Sequence, residues 1–148
     1  MGSYRQVYYH IVFGTKYRKP VLEPGFETEL YQYIAHVVRL KKCFLYAING
    51  TEDHIHLLTD LHPAVCLSSL VKDIKTASSI WLKEHPGFPG FTAWQEGYGA
   101  FTCSERERPM VVAYIQRQKE QHFEESFYDE YKRMLSENSI HFNEAYIL

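Results

Sequence analysis

The stretch from residue 51 to residue 58 most constrains the fold, because two histidines alternate there with large apolar residues. Such alternation is the pattern of a β-strand, in which successive side chains point to opposite faces. His54 and His56 therefore share one face, while Ile55 and Leu57 point into a core on the other. Two neutral imidazoles placed in this way can bind one cation. The alternative is a pair of partly buried histidines without a ligand, so the interpretation depends on the rest of the chain.

Length and composition indicate a single domain. A chain of 148 residues is long enough to bury one core. The net charge of −2 creates no overall positive field, so any contacts to nucleic acid must come from local basic clusters. Three widely spaced cysteines form no Cys-x-x-Cys pair, so neither a zinc knuckle nor a disulfide framework is indicated. We find no signal peptide and no apolar run of about 18 residues, and we expect a cytoplasmic protein that does not enter a membrane.

The other patterns predict strands and helices in alternation around the histidine strand. A nearly continuous apolar run at residues 7–13 predicts a buried strand. Apolar residues at helical spacing predict helices at residues 26–41 and 65–85. Residues 43–48 followed by Asn49-Gly50 predict a hairpin whose second arm carries the histidines. Residues 94–102 are typical of one strand bent at two glycines or of a tight hairpin.

The next helix carries a tyrosine and a glutamine on one face. Ser104 and Glu107 have the spacing of a capping box, whereas Pro109 suits a first helical position, so the helix begins at one of these points and spans about residues 104–122. Tyr114 and Gln118 lie four residues apart and project from the same face. A glutamine oxygen can bind a hard cation, and a tyrosine can attack a phosphate that the cation polarises. Taken alone, the pair is also typical of surface packing.

Assembled in order, these elements predict an α+β fold. The order strand, helix, strand, strand, helix, strand, helix is that of the ferredoxin-like, split β-α-β plan. It places helices on one face of an antiparallel sheet, and a C-terminal helix presents the tyrosine above the histidines. An acidic helix at residues 124–135 and an extended tail follow. We expect residues 1–148 to form one domain.

This combination resembles the small single-tyrosine transposases of the HUH nuclease superfamily, which the simplest insertion sequences encode. It also resembles their domesticated relatives associated with repetitive extragenic palindromes. The resemblance covers nearly the whole chain and rests on five segments in the same order. These are residues 9–13 with 16–18, residues 53–58, residues 74–81, residues 94–101 and residues 114–122.

The resemblance implies cleavage and rejoining of single-stranded DNA that carries hairpins at the ends of an element. His54, His56 and Gln118 would hold one divalent cation, Mg²⁺ or Mn²⁺, and no nucleotide cofactor is needed. Tyr114 would attack the scissile phosphate and form a 5′-phosphotyrosine link with release of a 3′-hydroxyl. His122 is an accessory candidate for the site. Members of the superfamily commonly act as homodimers, so we expect a homodimer here.

The basic residues that would contact DNA form three local groups. They are Lys16, Arg18, Lys19, Lys72, Lys75 and Arg117. In the first group, Tyr17 would stack on a base between cations that pair with phosphates, unless the segment is an ordinary solvated loop.

The sequence leaves open whether the tyrosine helix docks in cis or in trans, since no glycine hinge precedes Tyr114. Two other function classes also fit these residues: a non-catalytic nucleic-acid-binding module on the same sheet, and a metal-dependent hydrolytic nuclease that forms no covalent intermediate.

Overall fold

A four-stranded antiparallel sheet organises the protein, whose computed structural model describes residues 4–147. The strands are β1 (Tyr8–Gly14), β2 (Leu45–Gly50), β3 (His54–Asp60) and β4 (Gly99–Cys103), and their spatial order is β2-β3-β1-β4. The helices are α1 (Glu27–Leu40), α2 (Leu67–Glu84), α3 (Arg108–Gln116), α4 (Gln118–Gln121) and α5 (Phe127–Glu137). The α+β fold and the order of elements predicted from the sequence are confirmed.

The two faces of the sheet bury different helices. Ile11, Phe13, Ile55 and Leu57 belong to the core that α1 and α2 cover, as the alternation in β3 predicted. The opposite face carries the histidines and is covered by α3 and α5. Val12 and Phe101 pack against α5, and Leu58 packs against α3. The tyrosine helix therefore lies on the histidine face, and α5 covers this face beside it.

Three local predictions need correction. Asn49-Gly50 ends β2 instead of forming the hairpin turn, which lies at residues 51–53. Residues 94–102 form one strand only from Gly99 onward, because Gly97 adopts a positive φ of 77° and turns the chain first. The extended tail contains a turn at residues 144–146.

The helix expected at residues 104–122 consists of three pieces. The Glu107 N–H donates to the Ser104 hydroxyl at 3.2 Å, and the Ser104 N–H donates to the Glu107 carboxylate at 2.9 Å. This capping box closes a turn, and α3 then begins at Arg108 with Pro109 in its first turn. Both start signals in the sequence are therefore used. The helix is interrupted at Arg117 (φ −101°, ψ 22°), and α4 follows directly.

Helix α5 is anchored on β3 by aromatic stacking. The Phe127 ring lies parallel to the His54 imidazole, with centroids 4.1 Å apart, and Tyr131 stacks on Phe127 at 5.6 Å. The Ser126 hydroxyl caps the helix by accepting from the Asp129 N–H at 3.1 Å. These contacts fix α5 against the histidine face. Within residues 4–147, no helix is both long and apolar enough to cross a membrane.

The close approach of α5 to β1 makes Gly14 sensitive to substitution. A Cβ at Gly14 would lie 2.5 Å from Phe127 Cε2 and 3.0 Å from the Asp53 carbonyl oxygen. We expect Gly14→Ala to lower the free energy of unfolding by roughly 1–3 kcal/mol through overpacking. Gly25→Ala is the matched control, because no atom lies within 4 Å of a Cβ there. Urea denaturation measures both variants, and equal stability would contradict the packing of Phe127 described above.

Candidate active site

His54 and His56 point to the same side of β3 and are fully buried. His54 Nδ1 lies 2.7 Å from the Asp53 carboxylate and 2.9 Å from the Thr51 hydroxyl. These contacts orient the ring so that Nε2 faces the interior of the site. Burial favours a lower pKa for His54, but hydrogen bonds with Asp53 and Glu130 outweigh it and raise the pKa.

His56 is oriented by His10 of the neighbouring strand β1. His56 Nδ1 lies 2.8 Å from His10 Nε2. Burial lowers the pKa of His56 to about 4 and holds the pKa of His10 well below its usual value, so both rings are neutral at pH 7. The His56 Nε2–H donates to Glu130 at 3.0 Å, and Nδ1 accepts from the His10 Nε2–H. In the other tautomer, with Nδ1–H donating to His10, the Nε2 lone pair would be available to a cation. His10 lies in a strand that the sequence predicted, but no sequence pattern pointed to its place in the site.

Helix α4 brings Gln118 to these histidines. Gln118 is fully buried, and its Oε1 lies 3.0 Å from His54 Nε2 and 3.1 Å from His122 Nε2. Gln118 Nε2 donates to Glu130 Oε2 at 3.1 Å. The three residues suggested by the sequence as cation ligands, together with the accessory candidate His122, therefore meet in one place.

Glu130 of α5 lies at the centre of this cluster and was not identified from the sequence. Its Oε1 lies 3.0 Å from His56 Nε2, 3.1 Å from His122 Nε2 and 3.4 Å from His54 Nε2. The ligand atoms of these four residues all lie within 4.8 Å of one another, as a metal site requires.

Glu130 is ionised although no part of it is exposed. Burial favours a higher pKa, but hydrogen bonds from His122, His54 and His56 outweigh it and hold the pKa well below the usual range. A signal for this residue exists in the sequence. Helix α5 buries residues at positions 127, 130, 131, 134 and 135, so an acidic residue stands on an otherwise apolar stripe.

Tyr114 meets the cluster from α3 of the same chain. Its hydroxyl donates to Glu130 Oε2, and Arg133 Nη2 donates to the Tyr114 oxygen at 2.8 Å. The Tyr114 ring packs edge-on against His10 and His56, with centroids 6.2 and 5.9 Å away. Burial, followed by the charge of Glu130, raises the pKa of Tyr114, so the phenol is protonated in this arrangement.

The basic residues suggested for DNA binding separate into two groups. The exposed loop after β1 contains Lys16, Arg18 and Lys19. This loop begins near His54, because Gly14 at the end of β1 pairs with His54 in the sheet. Arg117 is exposed between α3 and α4. Lys72 and Lys75 lie on α2, which covers the other face of the sheet. The Lys75 ammonium donates to two backbone carbonyls in the loop before β4, at 2.7 Å each.

Two cavities flank the cluster. One of about 450 Å³ is lined by Asp53, Lys119, His122 and Phe127 on the side of the loop after β1. The other, of about 680 Å³, lies between α3 and α5 and opens onto Tyr114. Arg117 and Arg133 line this second cavity together with Tyr114.

Known proteins with similar sequences are transposases. Residues 3–118 match the family described as "Transposase IS200 like". The chain is 26% identical over 124 residues to the ISDra2 transposase TnpA of Deinococcus radiodurans, covering 79% of this chain and 87% of that protein. It is 27% identical over 118 residues to the transposase for insertion sequence element IS200 of Salmonella typhimurium, covering 76% of this chain and 77% of that protein.

Solved structures of transposases share the fold. A putative transposase from Deinococcus radiodurans R1 matches with a TM-score of 0.59 and 28% identity, over 80% of this chain and 95% of that one. A REP-associated tyrosine transposase bound to a REP hairpin matches with a TM-score of 0.60 and 18% identity, over 82% of this chain and 74% of that one. The family match spans all four strands and α1 to α3 and ends at Gln118. On this match, and with the tyrosine lying against the buried histidines, the chain belongs to the IS200-like transposase family.

Proposed function

We propose that this transposase cleaves and rejoins single-stranded DNA through a covalent bond to Tyr114. The observation that carries the proposal is the meeting of the tyrosine hydroxyl and the histidine cluster at one buried carboxylate. Oε2 of Glu130 accepts from Tyr114, while Oε1 faces His54, His56 and His122. The Glu130 side chain thus links the nucleophile to the candidate cation site.

The donor set suits a divalent cation. His54, His56 and Gln118, with His122 and Glu130 beside them, offer imidazole nitrogens together with carboxylate and amide oxygens. The oxygens suit Mg²⁺ and Mn²⁺, whereas imidazole suits transition ions, so Mn²⁺ satisfies both kinds of ligand. A cation held there would polarise the scissile phosphate and offset its developing charge.

The protein's own residues account for the covalent step. The Tyr114 oxygen forms a bond to phosphorus while the bond from phosphorus to the 3′ oxygen breaks, giving a 5′-phosphotyrosine link and a 3′-hydroxyl. The phenolic hydroxyl donates to Glu130 before attack, and the proton that Tyr114 loses balances the proton that the leaving 3′ oxygen takes up. In rejoining, a 3′-hydroxyl attacks phosphorus and Tyr114 leaves. The ester keeps the energy of the broken bond, so no nucleotide is required.

The loop after β1 suits an unpaired strand. Tyr17 is 70% exposed, and Tyr17 and Arg18 both adopt left-handed φ values, of 60° and 57°. Such backbone geometry is uncommon for residues other than glycine, and strained positions cluster at functional sites. An exposed ring between cations can stack on a base while the cations pair with phosphates.

Binding of a DNA hairpin and formation of a homodimer are further parts of the proposal. The hairpin in the complex of the REP-associated relative supports the first. The second is what the family resemblance implies; in the single chain described here the tyrosine helix contacts the histidines of the same chain. The homodimer stays a prediction.

The covalent mechanism predicts a specific protein–DNA adduct. Single-stranded oligonucleotides that span both genomic flanks of the gene, hairpins included, would be incubated with the protein and Mn²⁺. We expect a species shifted by one protein mass on a denaturing gel, abolished by EDTA and by Tyr114→Phe. Tyr146→Phe is the control, because Tyr146 is 83% exposed and lies outside the cluster. Cleavage that survives Tyr114→Phe without an adduct would indicate a hydrolytic nuclease instead, and binding alone a non-catalytic module.

A cation that binds the cluster should stabilise the folded protein against thermal unfolding. A ligand at about 100 times its Kd stabilises the native state by roughly 2.7 kcal/mol, which raises the Tm of a domain this size by about 5–10 °C. We expect Mn²⁺ to produce such a shift, EDTA to reverse it and Glu130→Gln to reduce it. Glu144→Gln is the control, because that exposed carboxylate pairs with Lys132. An undiminished shift in Glu130→Gln would remove Glu130 from the ligand set.

If the loop after β1 contacts DNA, removing one of its positive charges should weaken DNA binding. We expect Lys16→Gln to weaken binding of a single-stranded oligonucleotide and to lower the salt slope of the binding constant by about 1 for the lost phosphate contact. Lys72→Gln is the comparison, since α2 lies on the opposite face of the sheet. Fluorescence anisotropy at several salt concentrations measures both variants. A larger effect at Lys72 would place the DNA on the α2 face.

A further inference from the structure

Helix α5 brings a guanidinium group to the nucleophile. Arg133 follows Glu130 by three residues, so both side chains leave the same face of the helix. Arg133 Nη2 donates to the Tyr114 oxygen at 2.8 Å, and Glu130 accepts from the same hydroxyl. Among the described residues these are the two hydrogen-bond partners of the Tyr114 hydroxyl: one acceptor and one donor.

Two carboxylates hold the guanidinium in place. Glu125 accepts from Arg133 Nε at 3.0 and 3.2 Å and from Nη2 at 3.0 Å, while Glu137 accepts from Nη1 at 3.1 and 3.3 Å. The guanidinium is planar, always charged and has its donors in a fixed fork. With its plane held from two sides, the group directs an Nη2 hydrogen at Tyr114.

We propose that Arg133 is a catalytic residue of strand transfer, because it donates to the tyrosine oxygen both when that oxygen attacks and when it leaves. This inference rests on the proposed function. In cleavage the oxygen carries negative charge before its bond to phosphorus forms, and in rejoining it carries that charge after the bond breaks. A preorganised donor aimed at the atom where charge develops stabilises such a transition state.

The position of Arg133 also suits contact with the DNA. Its side chain is about one-third exposed and lines the cavity of about 680 Å³ that opens onto Tyr114, together with Arg117. A phosphate that reaches the tyrosine through this cavity passes the guanidinium. Arg133 lies beyond residue 118, where the family match ends, so its role is inferred from these contacts alone.

Single-turnover assays of Arg133→Gln and Arg133→Lys test the proposal. On the same flanking oligonucleotides with Mn²⁺, we expect Arg133→Gln to slow both adduct formation and rejoining by about 100-fold, the usual effect of losing one such donor. Arg133→Lys restores a cationic donor and should recover part of the rate. Lys132→Gln is the matched control, because the neighbouring ammonium pairs with Glu144 at 2.9 Å, outside the cluster.

A second readout separates catalysis from structure. The Mn²⁺-induced shift in Tm should be the same in Arg133→Gln as in the wild type, since the guanidinium is not a ligand. Rates of Arg133→Gln within twofold of the wild type would overturn the proposal. A slowed rate accompanied by a lost Mn²⁺ shift would also overturn it, because Arg133 would then only support the fold of the site.

A measurement without DNA tests the contact itself. With 3-fluorotyrosine at position 114, the ¹⁹F resonance should move in Arg133→Gln and stay in place in Lys132→Gln. An unmoved resonance in both variants would contradict the hydrogen bond. If the wild-type protein forms no adduct, the proposed function fails and the catalytic role fails with it, whereas the ¹⁹F result still shows whether Arg133 donates to Tyr114.

Discussion

The candidate active site depends on burying one carboxylate. An ionised side chain removed from water costs several kcal/mol unless charged or polar partners replace its hydration. Around Glu130, three imidazoles, the Gln118 amide and the Tyr114 hydroxyl provide this replacement. His54 and His56 come from β3, Tyr114 from α3, Gln118 from α4 and His122 from the turn after α4, so the cluster forms only when these elements and α5 are all in place.

Helix α5 can carry this charge because the rest of its inner face is strongly apolar. Phe127, Tyr131, Met134 and Leu135 are buried around Glu130, and the stacking of Phe127 on His54 ties the helix to the strand that carries the histidines. Packing of α5 and assembly of the cluster therefore depend on the same helix. The same helix presents Arg133 to the tyrosine, so the segment that completes the candidate cation site also positions the nucleophile.

Each histidine of β3 has its own orienting partner. Asp53 and Thr51 hold His54 from the hairpin turn, whereas His10 holds His56 from the adjacent strand. Their pKa values shift in opposite directions: hydrogen bonds with Asp53 and Glu130 raise the pKa of His54, whereas burial outweighs the contact with Glu130 and lowers the pKa of His56. Two chemically identical residues on one strand are thus tuned differently, and both direct Nε2 at Glu130.

The sequence by itself determined what depends on local periodicity. Alternation in β3 placed His54 and His56 opposite the core, because side-chain direction follows from the backbone repeat. Helical spacing predicted that Tyr114 and Gln118 lie together, and both contact Glu130 although the helix is interrupted between them at Arg117. The tertiary structure alone decided the partners of those residues. Glu130, Arg133 and His10 reach the site across 12 to 74 positions of sequence, through packing of α5 and the pairing of β1 with β3. No local repeat specifies contacts over such sequence separations. These contacts depend on the burial of apolar surface and the hydrogen bonding of buried polar groups across the whole fold.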